Sequence, residues 1–268
     1  MLRGAKTKSE WDDMSKIIAI VTGASSGLGR EFARQIDIMT GLDEIWLIAR
    51  RRERLVELAA ELKTDTRILA LDLLQESSFA IIESELKQQK PVVSILINNA
   101  GKGKAGRFAS IKREYNSELL RLNVLAIMQL TNIVLPYCAA GSRILQISSV
   151  AAFMPQPGFS VYAASKAFVL SFARALNEEL RREKITVTAV CPNPMETEFF
   201  NNGSGKSKLN WIKSLGIEQP EKVVRVALAR SARGKDVSVS CIAGKLLRLV
   251  GKFLPHRISM RVISKMGY

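Results

Sequence analysis

Short runs of apolar residues alternate with longer amphipathic stretches along most of the chain. That is the rhythm of repeated strand–helix–strand units whose strands are covered on both faces. The first run, Ile17-Ile18-Ala19-Ile20-Val21, is β-branched and leads into Thr22-Gly23-Ala24-Ser25-Ser26-Gly27-Leu28-Gly29, where a helical period begins. Further strands are expected at Glu44–Ile48, Arg67–Leu71, Ser94–Ile97, Arg143–Ile147, Thr186–Val190 and Val237–Cys241. Helices are expected over 28–38, 52–62, 76–89, 116–136, 162–182 and 220–232, the last opening on Pro220, a residue suited to a first helical turn. The pattern predicts an α/β fold: a doubly wound, seven-stranded parallel sheet between two helix layers, over residues 1–241 with 1–16 as an N-terminal extension.

Two stretches break the rhythm. Residues 191–217 are rich in Pro, Gly, Asn and Ser and follow directly on a strand, so they read as a long functional loop. After Val237 the chain carries six Lys/Arg and no acidic residue. Leu246, Leu249, Val250 and Phe253 share one helical face there, and Lys245, Arg248 and Lys252 lie on another. Residues 242–268 therefore form a basic amphipathic extension packed on the same domain. Its apolar positions, continuing through Ile258, Val262, Ile263 and Met266, are expected to be buried, as a lid or a subunit contact. Docking of Lys245, Arg248, Lys252, Arg257, Arg261 and Lys265 on an anionic membrane or an acidic carrier is the alternative.

Composition narrows the chemistry. A formal charge of +15 over 268 residues favours phosphate-bearing ligands or acidic surfaces, without choosing among them. Three cysteines, Cys138, Cys191 and Cys241, are too few and too far apart for a disulfide framework, which indicates a reduced compartment and a cytoplasmic location. The lone His256 excludes paired-histidine metal centres. The first 16 residues lack the apolar core of an export signal, and no run of about 20 apolar residues is present to span a membrane.

The glycine-rich turn lets backbone approach a pyrophosphate at a helix N-terminus, although strand-to-helix turns also need glycine for steric reasons alone. Gly23-Ala24-Ser25-Ser26-Gly27 also fits the nucleophile elbow of α/β-hydrolases; Ser25 would then depend on His256 as its base, in a basic tail and with no earlier strands around the elbow. Gly205-Lys206-Ser207 resembles the end of a P-loop, but lacks the first glycine and the preceding strand. Tyr162 and Lys166 stand one turn apart on one helix face, so their head groups can share a site where an ammonium favours phenolate over phenol. Ser148 and Ser149 end a strand that points the same way.

Taken together these residues resemble the short-chain dehydrogenase/reductase family, nicotinamide-dependent oxidoreductases with a single Rossmann-like domain. The likeness runs from about Ile17 to Ser240. It rests on Thr22-Gly23-x-x-x-Gly27-x-Gly29, Asp72, Asn98-Asn99-Ala100-Gly101, Asn123, Ser149, Tyr162-x-x-x-Lys166, Pro192 and Thr197. One departure is Asn193, where the family usually has glycine. The resemblance implies that Tyr162 is the general acid or base, that Ser149 bonds the substrate oxygen, and that Lys166 lowers the Tyr162 pKa and binds the nicotinamide ribose. It implies that Asn123 holds a water linking Lys166 to solvent. Gly23, Ser25, Ser26, Gly27, Leu28, Gly29, Asp72, Leu73, Asn99, Ala100 and Thr197 would line the cofactor site. Local roles stay open for some of them: Asp72 could cap a helix, Asn98-Asn99 could make a turn and Asn123 could pin a carbonyl.

Cofactor choice is read at the second strand's end, Leu47-Ile48-Ala49-Arg50-Arg51-Arg52. Ala49 stands where an NAD enzyme would place an acid, and Arg50 follows, as suits the 2′-phosphate of NADP(H), preferred over NAD(H). The expected activity is carbonyl–alcohol interconversion, with no metal, in a homo-oligomer. Phe199, Phe200, Leu209 and Trp211 favour an apolar or bulky substrate: a steroid, a lipid-like ketone or an acyl thioester. The contrasting reading is an NADP sensor or a nucleic-acid-associated protein on the same fold, which the charge supports and the intact Asn–Ser–Tyr–Lys set opposes.

Overall fold

Alternate residues of each strand serve opposite faces, and the apolar runs supply both. In the computed structural model, which describes residues 15–39, 41–195, 216–253, 257, 258, 260 and 261, Ile18, Ile20, Trp46 and Ile48 bury into one core cluster. Their neighbours Ala19, Val21, Ile45 and Leu47 bury into a second on the other face. Each fully buried Leu or Ile contributes about 1.5–3 kcal/mol of transfer free energy, so a sheet covered on both sides is held twice over.

The strands are β1 (Ile17–Thr22), β2 (Glu44–Ala49), β3 (Asp65–Ala70), β4 (Val92–Asn98), β5 (Arg143–Ile147), β6 (Thr186–Val190) and β7 (Val237–Ser238). They form one seven-stranded sheet in the order β3-β2-β1-β4-β5-β6-β7, and every neighbouring pair is parallel. The helices are α1 (Gly27–Asp37), α2 (Arg52–Glu61), α3 (Glu76–Gln89), α4 (Arg113–Leu120), α5 (Ala126–Val134), α6 (Ser160–Glu179), α7 (Pro220–Ala232) and α8 (Ile242–Phe253). This is the Rossmann-like α/β architecture, with helices on both sides of the sheet. Chain order reverses between β1 and β4, and the crevice beyond their C-terminal ends is where such sheets bind ligands.

Four expectations need correction. Strand β3 is an edge, half exposed rather than covered on both faces, with Arg67 paired to Glu85 at 2.7 Å and stacked 5.5 Å over the Trp46 ring. Strand β7 stops at Ser238 because the chain turns into α8. The helix expected over 116–136 is not uniform: Arg121–Leu125 form a π-helical segment between α4 and α5. The 25-residue helical stretch Arg113–Tyr137 is also long and apolar enough, by length and composition alone, to cross a membrane. Here it packs in the helix layer against α3, β4 and α6, and buries a polar junction in which Asn98 and Gln146 each donate to Thr131 at 3.0 Å.

The fourth correction concerns α8. Leu246, Leu249, Val250 and Phe253 are 58%, 55%, 43% and 71% exposed on the single chain, so the core of their own domain does not bury them, and Ile258 beyond the helix is exposed as well. The helix instead packs through its glycines onto Val150–Phe153, a single helical turn that follows β5. A side-chain carbon at Gly244 would come within 2.8 Å of Val239 and 3.1 Å of Val150, and one at Gly251 would collide with the Phe153 carbonyl oxygen. The glycines thus bring the α8 backbone against the Val239 and Val150 side chains at Gly244 and against the Phe153 backbone at Gly251.

Candidate active site

The glycine turn is fixed from below. The Ile48 carbonyl accepts from the Gly23 N–H at 2.8 Å, and Thr22 Oγ1 accepts from the Asn99 and Ala100 N–H groups at 2.9 and 3.0 Å. Gly23 has φ +66° and Gly27 φ +53°, in the region that favours glycine. A carbon added at Gly23 would lie 2.7 Å from Asn99 Nδ2, and one at Gly29 would strike the Gly23 carbonyl. Among the described residues no side chain caps α1, whose first turn opens on the cleft, so its N–H groups and the positive end of its dipole face whatever the cleft holds. That geometry fits a pyrophosphate.

The cleft, of about 480 Å³, runs from this turn to α6, and Ser25, Ser26, Leu28, Leu73 and Ala100 line it. Arg50 and Arg51 both border it, and Arg51 Nη2 reaches Ser25 Oγ at 3.1 Å and Ser26 Oγ at 3.0 Å. The sequence had pointed first to Arg50. Among the described residues Ser25 thus answers to a guanidinium on the cleft wall; His256, on which a hydrolase elbow would depend, lies outside the described residues. Asp72 lines the cleft while its Oδ1 accepts from the Leu74 N–H at 3.0 Å, so the local role left open for it is filled in the form of a turn. Asn99 Nδ2 donates to the Thr22 and Gly23 carbonyls at 3.0 and 3.3 Å, which ties β4 to the glycine turn.

At the other end, α6 presents Tyr162 and Lys166 one turn apart, and both are buried. The Tyr162 hydroxyl bonds to Ser149, and its ring stacks on Phe159 at 4.2 Å between centroids. The two serines after β5 divide their tasks: Ser148 Oγ donates to the Lys166 carbonyl at 2.7 Å and fastens α6 to the sheet, whereas Ser149 faces Tyr162. Lys166 Nζ donates to the Ile147 carbonyl at 2.8 Å and lies 5.7 Å from the Tyr162 ring centroid. Asn123, fully buried, comes from the π-helical segment. Its Nδ2 donates to the Lys102 carbonyl at 2.9 Å and to Ser165 Oγ at 3.1 Å, and its Oδ1 accepts from the Lys102 N–H at 2.9 Å. A π-helical turn inserts a residue into a helix and re-aims its neighbours, often at functional sites; nothing in the apolar spacing announced this one.

Burial dominates the electrostatics here. It pushes the Tyr162 phenol up to about 12, against the partly offsetting Ser149 bond, and it lowers Lys166 to about 8. The expectation of a lowered Tyr162 pKa is therefore reversed in the protein by itself, because burial outweighs the Ser149 bond, while the Lys166 ammonium is held on the Ile147 carbonyl. Burial also pushes the neighbouring Cys191 thiol up to about 12, which keeps it neutral and unreactive. Asn193 is buried and donates its backbone N–H to Glu218 at 2.9 Å, and Gly244 leaves room for its side chain beneath α8. Thr197, Phe199, Phe200, Leu209, Trp211 and the Gly205-Lys206-Ser207 stretch lie outside the described residues. Sequence reasoning missed Lys102 and Ser165 as the partners of Asn123, and it placed Arg51 behind Arg50 although both border the cleft.

A doubly wound sheet, an uncapped helix behind a glycine turn and a buried Ser–Tyr–Lys cluster across one crevice define a Rossmann-type oxidoreductase that uses a nicotinamide cofactor. The family model for short chain dehydrogenases matches residues 17–207, and the chain belongs to that family, whose members act on CH–OH and C=O groups. It is 33% identical over 224 residues to a very-long-chain 3-oxoacyl-CoA reductase of Laccaria bicolor, covering 79% of this chain and 62% of that protein's length. It is 29% identical over 253 residues to the 17-beta-hydroxysteroid dehydrogenase type 3 of Mus musculus, covering 90% of this chain and 77% of the relative. A short-chain dehydrogenase from Sphingobium yanoikuyae, solved in complex with NADPH, superposes with a TM-score of 0.75 at 30% identity, over 88% of this chain and 92% of that one.

Proposed function

We propose that the protein is an NADP(H)-preferring carbonyl reductase that acts on an apolar or bulky ketone or acyl thioester. The observation that carries this reading is the Tyr162 hydroxyl, buried against Ser149 and Phe159 in the cleft whose far end is the arginine-flanked glycine turn. A bound nicotinamide cofactor supplies or accepts the hydride. Gly23, Gly27, Gly29 and the α1 N-terminus hold its pyrophosphate, Arg50 and Arg51 meet a 2′-phosphate, and Asp72 and Asn99 border the adenosine. Tyr162 donates its proton to the substrate oxygen and Ser149 donates a hydrogen bond to the same atom. Lys166, anchored on Ile147, places a positive charge where phenolate is left behind, and Asn123 positions α6 through Ser165. The phenol is protonated at neutral pH and so has a proton to give to the substrate oxygen in reduction.

Support for a bulky substrate comes from the apolar wall of the cleft, Val150, Ala151, Phe159 and Met195, and from the acyl and steroid enzymes among the relatives. The test is a panel of steroid ketones, long 3-ketoacyl thioesters and small aldehydes, followed by NADPH and NADH absorbance. Turnover of small hydrophilic aldehydes alone would remove the substrate assignment, and tight NADPH binding without turnover would favour a sensor. Arg50→Asp and Arg51→Asp should raise the KM for NADPH about 10–100-fold while NADH changes little, the loss expected for a charged hydrogen bond.

A further inference from the structure

Helix α8 turns its glycines inward and its largest apolar side chains outward, and nothing among the described residues covers them. Ile242, Leu246, Leu249, Val250 and Phe253 follow at i, i+4, i+7, i+8 and i+11, which places them in one stripe along the exposed face. Lys245 and Lys252, both exposed, run along the edge of that stripe. Exposed Arg257 and Arg261 extend the positive charge beyond the helix. We propose that this face of α8 docks in the plane of an anionic phospholipid bilayer.

The chemistry of the face selects the occupant. From Ile242 to Phe253 every residue is apolar, glycine or a cation, so the stripe offers no hydroxyl or amide with which a protein partner could set register. A second copy of the chain meeting this face across a two-fold axis would bring like charges together, since no acid occurs after Asp236. A bilayer asks only for apolar area to insert and cations for its headgroups, and an amphipathic helix with an exposed apolar stripe supplies both. The inward face of α8 packs on Val150 and Phe153, and Val150 and Ala151 wall the cleft. Docking would thus set the wall of the substrate cleft beside the lipid surface, a consequence that rests on the function proposed above; the docking itself does not.

The test is flotation of the full chain with vesicles of phosphatidylcholine, alone or with about one third phosphatidylserine, at low and high salt. Binding is expected only to the anionic vesicles, and high salt should weaken it. Lys245→Glu with Lys252→Glu, and separately Leu246→Ser with Leu249→Ser, should each lower that binding about tenfold or more, with melting temperature held because all four side chains are exposed. Equal binding to neutral vesicles, or none to anionic ones, would overturn the proposal in the unaltered protein. So would serine variants that keep vesicle binding while losing a self-associated form in sedimentation, which would assign the face to a second copy. If soluble polyglutamate displaced the protein and the serine variants bound like the parent, charge alone would be the cause and insertion would be refuted. None of these readouts uses turnover, so a failed activity assay leaves them interpretable.

Discussion

Helices α6 and α8 read alike as sequence, each a stretch with an apolar and a polar side, yet they are used in opposite ways. Helix α6 sinks Tyr162, Ala163, Ser165, Lys166, Val169 and Ala173 against the sheet, so its polar groups are held by protein partners and its chemistry is desolvated. Helix α8 buries only Gly244 among its residues and leaves its large side chains in the open. Amphipathic spacing identifies a face; whether that face turns inward depends on what the rest of the chain can place against it. In α8 the glycines, not the outward-facing leucines, fit against the Val150 side chain and the Phe153 backbone.

The contrast predicts that chemistry can be removed from α6 without moving it. Tyr162→Phe keeps the ring on Phe159 and the turn that carries Lys166, so cofactor affinity by fluorescence titration should stay within about threefold while turnover falls about 10²–10⁴-fold, the usual span for proton transfer. Turnover within twofold of the parent would show that the buried phenol is only packing.

Next in size are steric changes on the inward face of each helix. Ala173→Leu in α6, fully buried, and Gly251→Val in α8, where the Phe153 carbonyl stands in the way, should each cost about 1–3 kcal/mol by denaturant unfolding. The outcomes should differ in kind. Overpacking α6 strains the sheet, whereas Gly251→Val should detach α8 and expose its backbone to amide exchange. A Gly251→Val protein as stable and as protected as the parent would mean that the glycine face carries no weight.

Desolvation itself can be read through pH. Cys138, Cys191 and Tyr162 have native pKa values raised to about 12, so the stability they contribute is complete below their unfolded values and is lost as pH rises from about 9 toward 12. Lys166 runs the other way. With its native value lowered to about 8, it favours the native state increasingly between 8 and its unfolded 10.5. Three groups oppose one, so the urea midpoint should fall above pH 9, and Lys166→Met should make that fall steeper by removing the opposing group. A midpoint that rises through this window would mean that these groups are wetter than the structure shows.

The seven-stranded parallel sheet and the cluster that faces the cleft were legible because the inner strands are covered on both sides and leave apolar runs, whereas the edge strand β3 is half exposed. The cleft residues also sit at strand ends or at an i, i+4 spacing that fixes them to one face. What was hidden depends on contacts distant in sequence. The π-helical turn at Arg121–Leu125, which aims Asn123 at Ser165, has no periodic signature, and Arg51 differs from Arg50 only by which of them reaches Ser25 and Ser26. The sign of the Tyr162 shift was misread because an adjacent ammonium is visible in sequence and desolvation is not. The inward use of the α8 glycines was not legible because their partner, the Val150–Phe153 turn, is about a hundred residues away in the chain.

The smallest expected effect makes the sharpest test of that last point. If α8 buried its leucines, Leu249→Ser would remove a packed side chain and cost several kcal/mol, as large-to-small core changes do. In the structure Leu249 is more than half exposed, and a serine there loses little contact and adds a hydroxyl already in water. The unfolding free energy should then shift by no more than about 0.5 kcal/mol, the ordinary range for surface positions. A measured loss of about 2 kcal/mol or more would show that the stripe is covered in solution. The dependence of that loss on protein concentration would say by what: a fixed value points to the chain's own segments, and a value that grows with concentration points to self-association, since an association stabilises by mass action.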